Sequence, residues 1–134
     1  MLLPHGTIIA VADGEKLNLY RNGGTDSETS LSSLPTETLK GDNGDSGGRH
    51  TSSAANPDGN IRAEDNFAAA TAAFLNAEAL GHKFEHLVVI APPRTLGELR
   101  HHWHKQLTAL LLTEIAKEMT GASIAEIEAL LAKQ

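Results

Sequence analysis

The residues with the clearest potential for chemistry lie in one glycine-rich stretch, GDNGDSGGRH, at positions 41–50. Ser46 lies between Asp45 and Gly47, and a serine hydroxyl in a tight glycine turn can act as a nucleophile. Such a serine needs a histidine as general base and a third polar group that orients the histidine. A hydrolase would therefore require both groups elsewhere in the chain, together with a fold that exposes the serine.

The surrounding sequence does not support a serine hydrolase. The pentapeptide GDSGG at 44–48 also surrounds the nucleophile of trypsin-like proteases, but the one histidine before Ser46 is His5. Residues 1–45 are too few to form the two β-barrels of such an enzyme. An α/β-hydrolase needs a buried strand directly before the serine, and residues 36–43 are mostly polar. We therefore predict no catalytic residue here and no stand-alone enzyme.

Neither a phosphate loop nor a metal site is indicated by the other polar residues. A Walker loop ends in Gly-Lys-Ser or Gly-Lys-Thr, which the chain lacks, and Asp42 and Asp45 would repel a phosphate. Among the seven histidines, His82 and His86 have helical spacing, but Gly81 ends the helix predicted before them. The chain has no cysteine, so thiolate ligands are absent. We predict no metal site and no cofactor.

Length and composition favour a single domain in the cytoplasm. The 134 residues include three Phe, one Trp and one Tyr, so Ala, Leu, Ile and Val must form most of the core. The longest apolar runs are too short to span a bilayer, and residues 1–13 lack the features of a secretory signal. We expect one domain over residues 1–134, no membrane insertion and a cytoplasmic location.

The charge distribution argues against a protein that coats nucleic acid non-specifically, yet it contains one basic patch. A net charge of −6 is unfavourable for neutralising many phosphates. Residues 94–105, which we call the basic patch, contain three basic residues and three histidines against one acid, Glu98. The basic residues are Arg94, Arg100 and Lys105. The patch is either a binding surface or the solvated face of a helix, and the sequence leaves both open.

The first half of the chain predicts antiparallel strands followed by a long polar loop. Residues 7–12 are β-branched and apolar, Asp13-Gly14 is a hairpin turn dipeptide, and residues 16–21 alternate as a strand does. Residues 28–34 can return as a third strand. Residues 35–60 have no apolar period and are rich in Gly, Ser, Asp and Asn. A loop this long in a compact domain is usually functional or disordered.

The second half predicts helices that alternate with strands. Residues 62–80 have the spacing of an amphipathic helix that ends at Gly81. Its predicted buried stripe comprises Phe67, Ala70, Phe74 and Ala77, with Thr71 and Leu75 adjoining. Residues 87–91 are all apolar and predict a central strand that is covered on both faces and ends at Pro92-Pro93.

Two capping boxes predict the last helices. Thr95 with Glu98 opens a helix that continues through Leu107, Leu110 and Leu111, and Ser123 with Glu126 opens a closing helix. Residues 114–120 are either the end of the longer helix or a short edge strand. The elements together predict an α/β domain with one mixed sheet, an antiparallel N-terminal hairpin and helices packed on the sheet.

Four stretches together resemble the bacterial host attachment protein family, whose members are described as required for attachment to host cells. They are HGTIIAVADGEKLNLYRN at 5–22, GGRHTSSAANPDG at 47–59, LVVIAPPRTLGELR at 87–100 and EIAKEMTG at 114–121. That family is similar to the middle domain of archaeal and eukaryotic class I peptide-chain release factors, an α/β fold of the RNase H-like group. The resemblance covers nearly the whole chain and favours the strand within 114–120.

The resemblance also implies a role for the glycine-rich stretch. In release factors, a Gly-Gly-Gln loop between the early strands and the first long helix enters the peptidyl-transferase centre and promotes hydrolysis of peptidyl-tRNA. Gly47 and Gly48 correspond to the two glycines, and Arg49 takes the place of the glutamine. The implied contacts with RNA or the ribosome are Gly47, Gly48, Arg49, His50, Ser52, Ser53 and Asn56, supported by Arg94 and Arg100.

The arginine at position 49 separates this chain from a termination factor. Arginine cannot position a water molecule as glutamine does, and we expect neither a codon-reading domain nor the release factors' C-terminal domain in this chain. The resemblance therefore implies a small factor that associates with the ribosome or with structured RNA, in ribosome rescue or peptidyl-tRNA handling. Two alternatives stay open: a non-enzymatic protein that acts in attachment to host cells through a protein partner, and a catalytically silent protein-binding domain. The oligomeric state stays open as well.

Overall fold

A mixed sheet of five strands, in the order β3-β2-β1-β4-β5, forms the centre of the fold. The computed structural model describes residues 3–25, 27–35 and 57–134. In chain order the elements are β1 (Ile8–Ala12), β2 (Leu17–Asn22), β3 (Leu31–Leu34), α1 (Pro57–Leu80), β4 (Leu87–Ala91), α2 (Pro93–Arg100), α3 (Lys105–Leu110), β5 (Leu111–Ala116) and α4 (Ile124–Ala132). This arrangement confirms the α/β class and the mixed sheet predicted from the sequence.

The antiparallel strands at the N-terminus are present where the sequence predicts them. β1 pairs antiparallel with β2, and β2 pairs antiparallel with β3. Asp13 shapes the turn between the first two strands, because its Oδ1 accepts hydrogen bonds from the N–H groups of Glu15 at 2.7 Å and Lys16 at 2.6 Å. The third strand is shorter than residues 28–34, since pairing begins at Leu31.

The parallel part of the sheet lies between two layers of helices. β1 pairs parallel with β4, and β4 pairs parallel with β5. α1, α2 and α3 cover one face of the sheet, and α4 covers the other. All five residues of β4 are buried as a result, which confirms the predicted central strand. β5 confirms a strand near residues 114–120, although it begins earlier, at Leu111.

The buried stripe of α1 differs from the predicted one. The helix begins at Pro57, and its buried residues are Phe67, Ala68, Thr71, Ala72, Leu75 and Ala79. Of the predicted stripe, Ala70 and Phe74 are half-buried and Ala77 is exposed. The small side chains of Ala68, Ala72 and Ala79 can lie directly on the sheet, so the larger Phe74 is placed at the side of the helix. In an alanine-rich helix several stripes have similar hydrophobicity, and the fit to the sheet decides between them.

The long helix predicted from Thr95 to Leu111 is wrong, because the helix is interrupted. α2 begins at Pro93 and ends at Arg100, and α3 begins only at Lys105. The capping box of Thr95 and Glu98 is also absent, since the N-cap is Pro92 and no side chain caps it. A proline at the first helical position is favourable because its missing N–H would have no partner there.

Other helix ends follow local rules. Ser123 and Glu126 form the predicted capping box of α4, with both reciprocal hydrogen bonds present. α1 ends at Leu80, directly before the predicted stop at Gly81, and the left-handed residue beyond it is His82, with φ of 59°. The N–H of His82 bonds to the carbonyl of Ala79, and that of Lys83 to the carbonyl of Glu78, in a Schellman arrangement.

None of the helices within the described ranges combines the length and the hydrophobicity of a bilayer span.

Candidate nucleic-acid interface

Seven of the predicted contacts lie between positions 47 and 56, outside the described residues. They are Gly47, Gly48, Arg49, His50, Ser52, Ser53 and Asn56. We call residues 47–56 the contact segment. The described residues on either side of it are the end of β3 at Leu34, followed by Pro35, and the first residue of α1, Pro57. These flanks show where the chain leaves the described part of the fold before the contact segment and where it re-enters it afterwards.

Both flanks lie at one end of the sheet. β1 and β3 are both antiparallel to β2, so they run in the same direction as each other and as β4 and β5. We call the end at which the chain leaves β1, β3, β4 and β5 the carboxyl edge. The chain leaves β3 at this edge, and residues 36–46 precede the contact segment. In α/β sheets, ligands commonly bind outside this end of the strands.

The start of α1 also lies at the carboxyl edge. A Cβ atom added to Gly14, in the turn after β1, would lie 2.7 Å from Cγ of Glu64. Glu64 is in the third turn of α1, so this part of the helix packs against the β1–β2 turn. The chain therefore returns from the contact segment to the edge at which it left.

Of the two predicted arginine contacts within the described residues, Arg94 is the one that lies beside these flanks. It is in the first turn of α2, directly after β4, and its Nη2 lies 3.3 Å from both carboxylate oxygens of Asp65 in α1. The side chain of Arg94 is 56% exposed and that of Asp65 is 33% exposed. The guanidinium is therefore accessible to a ligand, but part of its charge is already matched by a carboxylate.

Arg100 lies at the other end of α2, about 9 Å along the helix from Arg94. Its Nε donates a hydrogen bond of 2.7 Å to Oε1 of Glu114, and the indole N–H of Trp103 donates to Oε2 of the same carboxylate at 2.9 Å. The Glu114 side chain is 16% exposed. Arg100 thus takes part in a contact between α2 and β5, and the fold does not bring it to the flanks of the contact segment.

The basic patch is less basic in the folded protein than in the sequence. Asp65 and Glu114 approach its two arginines from α1 and β5, and Nε2 of His102 lies 3.2 Å from a carboxylate oxygen of Glu98. The sequence analysis missed Asp65 and Glu114 because they are distant in the chain from the arginines that they contact. Within the described residues, Lys105 has no ion-pair partner.

Asn76 is a second residue that the sequence analysis missed. Its Nδ2 donates to the carbonyl of His102 at 2.8 Å, and its Oδ1 accepts from the N–H of His104 at 2.9 Å. His104 in turn caps α3, because its Nδ1 accepts a hydrogen bond of 3.1 Å from the N–H of Gln106. Asn76 of α1 therefore holds the non-helical residues between α2 and α3 in place. The one sign of this contact in the sequence was a polar asparagine within the alanine-rich segment that forms α1.

The described residues offer no metal-binding cluster. Within residues 3–25, 27–35 and 57–134, no group of three or more His, Asp or Glu side chains is placed to hold a metal ion.

Comparison with known families gives a match over nearly the whole chain. A family model described as bacterial archaeo-eukaryotic release factor family 12 matches residues 6–131. The matched range includes every strand, the contact segment and nearly all of α4. The match supports the relation to release factors inferred from the sequence, and it does not support the host attachment name. Among curated proteins, none matches the chain.

Proposed function

This chain belongs to bacterial archaeo-eukaryotic release factor family 12, and on that premise we propose that it is a small factor that associates with the ribosome or with structured RNA. The observation that carries the proposal is the family match over residues 6–131, which spans the contact segment together with the fold around it. Both described flanks of that segment lie at the carboxyl edge.

The contact segment provides residue types that suit RNA. Gly47 and Gly48 can adopt φ > 0 and allow the backbone to approach RNA closely, and their N–H groups can donate to phosphate or to a developing oxyanion. Arg49 can hold a phosphate through two parallel hydrogen bonds or stack on a base, and His50 can do either more weakly. Ser52, Ser53 and Asn56 supply further donors and acceptors. Arg94 is the supporting contact nearest to the flanks, and Arg100 is the more distant one.

Peptidyl-tRNA handling or ribosome rescue is the setting that we propose for this contact. Arg49 replaces the glutamine that positions water in release factors, so we propose binding as the main role and no stand-alone enzyme activity. Peptidyl-tRNA hydrolysis on the ribosome is the reaction to test. We also propose that the fold belongs to the RNase H-like group. The strand order β3-β2-β1-β4-β5, in which β2 runs opposite to the other four strands of the sheet, supports this grouping.

Co-sedimentation with purified ribosomes at low salt tests the proposal. We expect the wild-type protein to pellet and the Arg49→Ala variant to pellet several-fold less. The substitution should change the free energy of unfolding by no more than about 0.5 kcal/mol, as surface changes usually do. Lys133→Ala is the matched control, because this exposed lysine follows α4 on the opposite face of the sheet. If neither wild type nor variant pellets, ribosome association is wrong.

Two further experiments separate the alternatives. Incubation with ribosomes that carry peptidyl-tRNA shows whether the factor releases the peptide or only binds. Cell fractionation tests the attachment alternative, because the proposed cytoplasmic factor gives a cytosolic pool whereas a direct adhesion role requires a surface-exposed one. An unbiased pull-down identifies a protein partner if the chain acts as a silent binding domain.

A further inference from the structure

A pocket of about 260 Å³ lies beside α1 on the face of the sheet that α1, α2 and α3 cover. Its walls are apolar side chains from β1, β2, β3, α1 and the loop between α1 and β4. They are Ile8, Leu19, Leu34, Phe74, Leu75 and Phe84. Ile8 begins β1 and Phe84 precedes β4, so this side of the pocket lies towards the end of the sheet opposite the carboxyl edge. Leu34, at the end of β3, is shared with the flanks of the contact segment, whereas Arg94 does not line the pocket.

The arrangement of the helices explains why the pocket is open. The alanines of α1 lie close to the sheet, and α2 and α3 pack against the side of α1 that faces β4 and β5. Within the described residues, no helix covers β2 and β3 on this face apart from the margin of α1 that carries Phe74. The apolar side chains of Leu19 and Leu34 therefore form a floor with space above it.

Three charged side chains also line the pocket, and two of them are cations. They are Arg21 from β2, Lys83 from the turn after α1, and Glu78 from α1. Arg21 and Lys83 are exposed, and neither has an ion-pair partner in the part of the chain that the structure describes. The Schellman turn at His82 fixes the backbone of Lys83, whose N–H bonds to the carbonyl of Glu78. The lining thus has an excess of one positive charge.

We propose that this pocket binds a small amphipathic anion, in which one ring-sized apolar group carries a carboxylate. The volume is slightly below the usual range of about 300–1,000 Å³ for ligand sites, so it admits a small ligand only. The apolar walls remove the ring from water, and the cationic groups of Arg21 and Lys83 attract the carboxylate. Arg21 can bind the carboxylate through two parallel hydrogen bonds, and Lys83 contributes a point charge.

Three matched probes test the proposal: 3-phenylpropanoate, its neutral amide 3-phenylpropanamide, and the cation 3-phenylpropylammonium. Each is titrated into the ¹⁵N-labelled full chain, and the dissociation constant is taken from the shifts of backbone amides. We expect the carboxylate to bind about two- to fivefold more tightly than the amide, as for exposed charge pairs, and the ammonium to bind most weakly. The amide signals that shift should include those of Leu19 and Phe84.

Substitutions of the three charged residues that line the pocket should change the affinity for the carboxylate in opposite directions, according to the charge that is removed. Arg21→Gln and Lys83→Gln should each weaken binding of the carboxylate about two- to fivefold and leave binding of the neutral amide unchanged. Glu78→Gln should strengthen binding of the carboxylate and weaken that of the ammonium. Lys133→Gln is the control, since it removes the same charge on the opposite face of the sheet.

Three outcomes would overturn the proposal. The first is the absence of shifts near the pocket with every probe up to its solubility limit, which would also be the result if another part of this chain filled the site. The second is equal affinity for the carboxylate and the amide. The third is a loss of affinity in Lys133→Gln as large as that in the Arg21 or Lys83 variant.

Discussion

Asn76 connects α1 to the non-helical residues between α2 and α3 with both ends of its amide group. Where a helix stops, backbone N–H and carbonyl groups lose their helical partners and need others. Asn76 supplies one acceptor and one donor to two such groups, at His104 and His102. The break therefore depends on a side chain that lies more than twenty residues earlier in the chain.

The substitution Asn76→Ala should lower the free energy of unfolding by about 1–2 kcal/mol, because two hydrogen bonds of roughly 0.5–1.5 kcal/mol each are lost. Asn76→Asp should lose less, since a carboxylate still accepts from the N–H of His104 but cannot donate to His102. Urea unfolding monitored by circular dichroism measures both. Asn66→Ala is the control on the same helix, and it should be neutral or slightly stabilising because alanine favours helix. Equal losses at Asn66 and Asn76 would show that the two hydrogen bonds contribute nothing.

His82 is the one non-glycine residue with positive φ among the described residues. A side chain in the left-handed region is unfavourable by about 1–2 kcal/mol, and glycine avoids this cost. His82→Gly should therefore raise the free energy of unfolding by up to about 1 kcal/mol, partly offset by the greater freedom of glycine in the unfolded chain. His82→Ala keeps the Cβ atom and should give no gain. A thermal shift of the same size in both variants would contradict the role of φ.

The position of α1 on the sheet decides which of its apolar residues are buried. Leu75 is fully buried beneath the helix, whereas Phe74 is half-buried at the pocket. The spacing of apolar residues in the sequence placed Phe74 in the core and Leu75 beside it. Sequence periodicity identified the helix but not its rotation, because alanines occur all around it and the sheet surface selects the face.

The orientation of α1 on the sheet predicts which of two substitutions in this helix lowers the free energy of unfolding more. Leu75→Ala should lower the free energy of unfolding by about 3 kcal/mol, because it leaves a cavity between helix and sheet. Phe74→Ala should lower it by about half as much, since the pocket already exposes part of the ring and the loss of its contacts is smaller. Chemical denaturation of the two variants and the wild type measures the difference. A larger loss for Phe74→Ala than for Leu75→Ala would support the stripe expected from periodicity.

The elements that sequence analysis predicted well depend on neighbours in the chain. The hairpin turn at Asp13 and the box of Ser123 and Glu126 each form between residues at most three positions apart. The interrupted helix after β4 could not be found in this way. Thr95 and Glu98 have the letters of a capping box, but Pro92-Pro93 already starts α2, and the break depends on a contact with α1.

For the whole molecule, the fold brings distant charges together and so changes the candidate interface. The sequence predicts the contact segment and contains the basic patch, and the fold places Arg94 and the described flanks of the segment at the same carboxyl edge. It also adds the acids, since Asp65 and Glu114 approach the patch from other elements. Sequence spacing cannot give these pairs, because they form only when α1 and β5 pack beside α2. We therefore propose that Arg94 is the main contribution of the basic patch to the candidate interface.

This pairing makes the proposed role of Arg94 testable in both directions. If Arg94 contacts RNA phosphate, Asp65 competes with the phosphate for the guanidinium. Asp65→Asn should then raise the affinity for ribosomes about two- to fivefold, because an exposed ion pair is worth roughly 0.2–1 kcal/mol. Arg94→Ala should lower the affinity by a similar factor. It should also reduce the slope of log affinity against log salt by about 0.7–0.9, the value for one lost phosphate contact.

Co-sedimentation over a series of salt concentrations measures both the affinity and the slope. Arg100→Ala provides the comparison within α2, because Glu114 holds this arginine at the far end of the helix. We expect Arg100→Ala to change the slope less than Arg94→Ala. The double variant Asp65→Asn with Arg94→Ala should bind as Arg94→Ala does, since the acid acts through the arginine. If Asp65→Asn has the same effect with and without Arg94, the carboxylate repels RNA directly and does not compete for Arg94. An unchanged affinity and salt slope in Arg94→Ala would show that Arg94 is no contact.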